Sequence, residues 1–406
     1  MQSIVVIGAG QAGGWAAKTL RDQKFAGTIM LVGEEPHPPY ERPPLSKDVL
    51  LGTRTAESTY LWPASRLSAL DIDLMLNCRA VSIERNNRTV QLSNGDRLAY
   101  DRLMIATGSR VRKLGIPGAD LPGIHYLRGI DDAAAISQSL LPGTRLLVIG
   151  GGWIGLEIAA AARQRNVDVT LVEAASQLCA CALPARIARS LEEEHQRRGV
   201  RILLNTTVVE LKGQQHVEQA ELSNGERIDA DLAVIGVGIV PNSEIARDAG
   251  IATDNGITVD HFGQTSDPSI YAAGDVANQP DWSGGRVRLE SWSNAQNQAI
   301  AVAKAMLGTG AKYQEVPYFW SDQYDVKLQI LGSFSNYDRI IRHGEASRDV
   351  TTLFLNGNNI AAVVAINRPK DIAVARRVMQ KKASFDAERL SRADNVHEAL
   401  RAALAS

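Results

Sequence analysis

Ile4-Val5-Val6-Ile7-Gly8-Ala9-Gly10-Gln11-Ala12-Gly13 is the stretch on which the reading of the fold turns. Four consecutive apolar, β-branched residues read as a strand buried on both faces, as in a parallel sheet. The spacing G-x-G-x-x-G follows at once, and Gly14 to Arg21 reads as a helix. Thr28-Ile29-Met30-Leu31-Val32 then forms a second strand, ending at Glu34. Each part has a physical task. Gly8 makes the tight turn, Gly10 lets backbone approach a pyrophosphate, and Gly13 lets helix pack on strand. The helix N-terminus holds the pyrophosphate charge, and Glu34 accepts hydrogen bonds from a ribose. A strand, a glycine turn, a helix, a strand and an acid in this order predict a dinucleotide site.

The unit recurs. Leu146-Leu147-Val148-Ile149 precedes Gly150-Gly151-Gly152-Trp153-Ile154-Gly155, a helix through Arg163, and Val169-Thr170-Leu171-Val172 ending at Glu173. Two units in one chain imply two dinucleotides, and the simplest pair is FAD with a nicotinamide. Glu173 decides which nicotinamide, because no Lys or Arg follows it before Arg186 and a carboxylate repels a 2′-phosphate. NADH is therefore expected over NADPH. Three further strand ends meet glycine: Ile105-Ala106-Thr107-Gly108, Val234-Ile235-Gly236-Val237-Gly238, and Ser269-Ile270-Tyr271-Ala272-Ala273-Gly274-Asp275. In the last, the Asp275 carboxylate can accept from the polyol chain of a flavin.

Composition narrows the class. The chain has 406 residues, 45% hydrophobic and 22% charged, the balance of an ordinary globular enzyme of two or three domains. Lys+Arg 44 against Asp+Glu 45 gives a net charge of −1, which argues against nucleic-acid or membrane-surface partners. No apolar run reaches the ~20 residues that span a bilayer. Three cysteines make no disulfide framework and Met1-Gln2-Ser3 opens no targeting segment, so a cytoplasmic location is expected. The seven histidines show no metal-ligand spacing, and no metal site is expected.

The motifs Tyr40-Glu41-Arg42-Pro43-Pro44-Leu45-Ser46-Lys47, Gly150 to Glu157, Ala273-Gly274-Asp275, Glu290-Ser291-Trp292-Ser293-Asn294-Ala295-Gln296-Asn297-Gln298 and Phe319-Trp320-Ser321-Asp322-Gln323 run the length of the chain. With them the sequence resembles the flavin-dependent pyridine nucleotide-disulfide oxidoreductase superfamily. Within it, the chain is similar to the FAD-containing, NADH-dependent ferredoxin reductases of bacterial oxygenase systems, both dioxygenase-linked and putidaredoxin reductase types. The resemblance implies an α/β, glutathione-reductase-like fold: two Rossmann-like dinucleotide-binding domains plus an α+β C-terminal domain. The FAD domain is expected over 1–112 and 241–318, the NAD domain over 113–240, and the C-terminal domain over 319–406. In that last region Lys327–Leu331, Thr351–Leu355 and Ile360–Val364 read as short strands and Asp371–Lys382 as a helix.

The same resemblance implies that the protein takes hydride from NADH and passes single electrons to a [2Fe-2S] ferredoxin serving a Rieske-type dioxygenase or a P450. A rubredoxin reductase, or a redox-sensitive binding protein like apoptosis-inducing factor, are the alternatives. Lys47 is expected beside the flavin ring, Glu157 on the first turn of its helix lining the nicotinamide pocket, and Trp320 at the flavin edge toward the partner. Arg42 and Arg128 are expected to contact FAD, or to be surface ion pairs. Ala12, Ala80, Ala106, Thr107, Gly108, Asp275 and Trp292 complete the FAD set. Gly150, Gly152, Ile154, Gly155, Glu173, Gly236 and Gly238 join Glu157 for NADH. No cysteine stands in the Pro-rich stretch, where disulfide-reducing relatives carry their redox pair. Cys78 reads as a strand residue, and Cys179 and Cys181, which flank one alanine, as buried or incidental thiols. Without a thiol, electrons must leave the flavin directly. Arg376, Arg377, Lys381 and Lys382 on the last helix form either a steering patch for an acidic partner or a solvated face.

Overall fold

The N-terminal apolar run becomes the central strand, Ser3–Ile7, of a five-stranded parallel sheet in the computed structural model, which describes residues 2–344, 348–393 and 395–404. Its neighbours run in the order Ile270–Ala272, Arg102–Ile105, Ser3–Ile7, Thr28–Val32, Ile72–Met75. In chain order these are strands five, four, one, two and three, so the order reverses beside the glycine turn, where α/β sheets bind ligands. Alternate residues face opposite ways. Ile4, Val6, Ile29 and Leu31 pack on the helical residues Ala16, Leu20, Ala299 and Val302, whereas Val5, Ile7 and Val32 pack on Ile83, Val90 and Leu92. This sheet belongs to a compact unit made of Met1–Glu41, Glu57–Arg110 and Val240–Pro317.

A second unit comprises Arg42–Ala56, Val111–Ile239 and Tyr318–Ser406. Its parallel sheet is ordered Arg201–Leu203, Asp168–Val172, Arg145–Ile149, Leu232–Ile235, Ile124–His125, again centred on the strand before the glycines. It also holds a five-stranded antiparallel sheet, ordered Tyr318–Gln323, Val326–Gly332, Asn359–Ile366, Val350–Asn356, Arg339–His343. Helix Pro369–Lys381 covers that sheet through Ile372, Ala375 and Val378, all buried.

Each unit carries a three-stranded antiparallel layer that the sequence reading did not resolve. One is Ala80–Glu84, Thr89–Leu92, Arg97–Ala99, and the other Val208–Lys212, Gln219–Leu222, Arg227–Asp229. The signal was present as a repeat: Leu92-Ser93-Asn94-Gly95-Asp96-Arg97 and Leu222-Ser223-Asn224-Gly225-Glu226-Arg227. In both turns the Asn side chain accepts from the backbone N–H two residues on, at 3.1 Å and 2.9 Å.

Three local expectations are corrected. The first glycine helix spans Gln11–Asp22, starting three residues before Gly14, because its opening turn is formed by the glycine motif itself. Cys78 lies in the loop between Ile72–Met75 and Ala80–Glu84, buried but not in a strand, since its N–H bonds the Gly33 carbonyl outside any ladder. Tyr318–Gln323 and Arg339–His343 are strands beyond the three expected in the C-terminal region.

Candidate functional site

Gly8 sits at φ +107°, and a Cβ there would lie 2.2 Å from the Ala106 carbonyl oxygen. A Cβ on Gly13 would lie 1.8 Å from the Gly8 oxygen, so both positions are closed to any other residue. Gly10 is the opposite case: nothing lies within 4 Å of its Cβ position. It caps helix Gln11–Asp22 without a side-chain hydrogen bond, and no acidic residue stands in the first turn. The result is an open cradle at a positive helix end, as a pyrophosphate requires. The buried Oε1 of Gln11, at the same helix end, has no hydrogen-bond partner.

Around this cradle the first unit gathers Gly8, Gly10, Ala12, Gly13, Ala106 and the Gly274–Val276 turn that carries Asp275. The Thr107–Gly108 exit is fixed by Asn242: Thr107 Oγ1 donates to its carbonyl at 2.7 Å, and its N–H donates to Gly108 O at 2.9 Å. Glu34 is exposed at the end of its strand. The Cys78 N–H to Gly33 O bond, 2.9 Å, draws the strand that starts at Ala80 toward that end. Trp292 is the first residue of helix Trp292–Met306. Arg42, Lys47, Arg128 and Trp320, expected with the same ligand, belong to the second unit.

The second cradle repeats the first. A Cβ on Gly155 would stand 2.1 Å from Gly150 O, and a Cβ on Gly150 2.4 Å from Gly236 O, while Gly152 is open. Ile154 is exposed in the following turn, at the start of the helix. The Glu173 carboxylate accepts from the backbone N–H of Gly151 at 2.6 Å and of Ala175 at 2.7 Å, so its charge is held at the glycine turn. Gly238 accepts from the Arg112 N–H at 2.9 Å.

The second unit also assembles a buried charged cluster. Pro43–Ser46 forms one 3-10 turn, delivering Lys47 onto helix Trp153–Gln164. Lys47 Nζ lies 2.9 Å from Glu157 Oε2 and donates to the Pro43 carbonyl at 3.2 Å. Glu157 stands on the second turn of the helix, not the first, and is 4% exposed. Ser46 Oγ donates to its Oε2 and Ser321 Oγ to its Oε1, the latter at 2.6 Å. Gln323 Nε2 donates to Ser321 Oγ at 3.0 Å, and Gln323 Oε1 lies 2.8 Å from His195 Nε2. Burial pushes the His195 imidazole below its usual range, with Gln323 and Glu194 opposing, so it is neutral and donates through Nε2. A buried ion pair is tolerated only when such bonds satisfy its remaining lone pairs.

Arg42 Nη1 donates to the Arg128 carbonyl at 2.5 Å, so the structure brings these two arginines together. Trp320 stacks on Tyr318 with centroids 5.9 Å apart, and the Arg376 guanidinium lies 4.5 Å over the same Tyr318 ring. Burial pushes the Asp322 carboxyl up, with Lys47 and Lys327 opposing and Asp48 adding to it. The Cys179 thiol is pushed up to about 12 by burial and by the Glu173 and Glu157 charges, and it donates to Gly151 O. It is therefore a thiol, not a thiolate, at neutral pH; Cys181 is exposed. Sequence reasoning missed Ser46, Ser321, Gln323 and His195. Alternation along Tyr318–Gln323 was the available signal, since it places Ser321 and Gln323 on one buried face.

Residues 2–299 match the family described as pyridine nucleotide-disulphide oxidoreductase, and 318–404 match the reductase C-terminal family. The chain belongs to the pyridine nucleotide-disulphide oxidoreductase family. Among members of this family, rhodocoxin reductase of Rhodococcus erythropolis is 40% identical over 97% of this chain and 92% of its own length. The ferredoxin–NAD(+) reductase component of the p-cumate 2,3-dioxygenase system of Pseudomonas putida is 39% identical over 96% of both chains. A chain of the covalent putidaredoxin reductase–putidaredoxin complex superposes with TM-score 0.96 at 36% identity, covering 100% of this chain and 99% of that one. Among the described residues, no helix is long and apolar enough to cross a membrane.

Proposed function

We propose that the protein is an FAD-dependent NADH:ferredoxin oxidoreductase of an oxygenase system, acting in the cytoplasm on a [2Fe-2S] ferredoxin. The observation that carries this reading is the pair of open glycine cradles, one in each unit, with Gly10 and Gly152 facing empty space above a helix N-terminus. The relatives' names supply the partner class. We assign FAD to the first cradle with Glu34, Ala80, the Ala106–Gly108 exit, Asp275 and Trp292. NADH goes to the second, with Glu173, Gly236 and Gly238.

Bound in this way, FAD supplies the exchange between a two-electron donor and one-electron acceptors. The chain's own residues position and exclude. Lys47 holds a cation whose carboxylate partner, Glu157, keeps it in place, and Ser46 and Ser321 keep that carboxylate oriented. Trp320 and Tyr318 present stacked aromatic surface, and Arg42 is steered by the Arg128 carbonyl. The Glu173 charge selects against a 2′-phosphate.

The test is anaerobic. The purified protein is reduced with NADH or NADPH and mixed with a [2Fe-2S] ferredoxin, a rubredoxin or neither. Rapid reduction by NADH, about tenfold or more slower at equal low NADPH, and fast bleaching of the ferredoxin alone is the expected result. Bleaching of rubredoxin alone would move the protein to a rubredoxin reductase. Slow transfer to both would overturn the reductase reading in favour of a binding or sensing role.

A further inference from the structure

The turn that carries Asp275 is held from behind by three buried amide side chains. Gly274 sits at φ +80°, and a Cβ on it would meet Ala12 Cβ at 3.0 Å, so the turn packs directly on the first cradle's helix. Its N–H donates to Gln298 Oε1 at 2.8 Å. Gln298 Nε2 donates to Gln279 Oε1, Gln279 Nε2 donates to Asn294 Oδ1 at 3.1 Å, and Asn294 Nδ2 donates to the Leu289 carbonyl at 3.2 Å and, at 3.5 Å, to Gln298 Oε1. Tyr313 O–H also donates to Asn294 Oδ1, at 3.0 Å, and burial pushes that phenol up, which keeps its proton in place. Asn294, Gln279 and Gln298 are each 5% exposed or less.

Backbone groups anchor both ends of this chain, and they fix every amide within it. The Leu289 carbonyl can only accept, so Asn294 must turn its NH2 there and its oxygen toward Gln279. Gln279 must then donate to Asn294 and accept from Gln298. Gln298 is left with its oxygen aimed at Gly274, whose N–H can only donate. No amide can flip without setting two oxygens or two N–H groups face to face in a buried site, where neither is satisfied.

We infer that Asn294, Gln279 and Gln298 form a one-way amide relay that presets the Gly274–Asp275 turn for FAD, with Gln298 the positioning residue for cofactor affinity. The inference rests on the assignment of FAD to the first cradle. Gln298→Glu is the discriminating variant. A protonated Glu reproduces all three bonds: its C=O accepts from Gly274 N–H and Asn294 Nδ2, and its O–H donates to Gln279 Oε1. Its carboxylate keeps the two accepted bonds and faces the Gln279 oxygen with a negative charge. The ionisable groups nearby are Asp275, Arg288 (donating to the Asp275 carbonyl at 3.3 Å and paired with Glu290 at 2.6 Å), Tyr313 and Glu315. Wild type carries all of them, so the difference between variant and wild type reports the new carboxyl.

Release of FAD from diluted holoenzyme, followed by flavin fluorescence between pH 5 and pH 8, provides the readout. The expected result is wild-type-like retention of FAD by Gln298→Glu at the acid end, with release accelerating about tenfold or more as pH rises. A merely structural role would release FAD only as the variant unfolds and loses its far-UV circular dichroism over the same pH range, whereas loss of positioning releases FAD with that signal unchanged. Gln298→Met, similar in length and without an amide, is expected to release FAD faster at every pH. Should it not fold, Gln298→Glu still decides. Wild type that holds FAD beside a Gln298→Glu variant releasing it at the wild-type rate at every pH would overturn the relay alone. Wild type that takes up no FAD would overturn the functional reading, and the relay with it.

Discussion

Glu157 is a buried residue on which several polar side chains of the second unit converge. Lys47, Ser46 and Ser321 all reach its carboxylate, and Gln323 and His195 align Ser321 from behind. Lys47 is 15% exposed and Glu157 4%, so solvent screens the pair weakly. Removing one partner leaves the other buried and unpaired. Lys47→Met is expected to destabilise the protein by about 3 kcal/mol, with Lys47→Met/Glu157→Gln recovering a substantial part. Urea unfolding of the two single variants and the double variant measures this coupling, and additive costs would contradict it. That Lys47 and Glu157 are site residues was legible from a resemblance; that two serines and a glutamine complete their shell was not, because nothing local to Ser46, Ser321 or Gln323 shows which carboxylate folding brings to them.

Helix Ala185–Arg197 ends in a charge cluster whose pH response follows from its geometry. Burial pushes the Glu194 carboxyl up. Hydrogen bonds from Arg348 and Arg198, with the charges of Arg197 and Arg348, more than offset this and hold it below the usual carboxylate range. A carboxyl lowered in the folded state contributes stability that is fully present above its unfolded value of about 4.3. That contribution is lost as pH falls through the lower folded value. Acid titration of the unfolding midpoint should therefore show a loss of stability below about pH 4 that Glu194→Gln makes shallower. An identical acid limb in wild type and variant would refute it. At the same scale, the glycine-flanked strands were read to within a residue or so, because an apolar run before a glycine turn is a local signal. The antiparallel layers were missed because short hairpin strands half-exposed to solvent lack that signal.

On the proposed assignment of FAD to the first cradle and NADH to the second, the two units carry two separable binding functions. A Cβ on Gly13 would collide with Gly8 O at 1.8 Å, and one on Gly155 with Gly150 O at 2.1 Å, so alanine at either position must distort its own cradle. Gly13→Ala is expected to purify without flavin colour. Gly155→Ala should keep its flavin, yet lose reduction by NADH by about tenfold or more. Flavin absorbance before and after anaerobic NADH reads both; loss of flavin from Gly155→Ala in a folded protein would contradict the assignment of cofactors to units.

By itself the sequence determined the two dinucleotide folds and their chain order, because glycine spacing and strand hydrophobicity act over some thirty neighbouring residues, and the acid that follows each unit carries the expectation of NADH over NADPH. Tertiary structure alone decided that Pro43–Ser46 and Tyr318–Gln323 meet helix Trp153–Gln164, and that Gln279, Asn294 and Gln298 line up behind Gly274. Those arrangements depend on hydrogen bonds between residues that the chain brings together only on folding. Their worth comes from burial, which no local pattern of residues encodes.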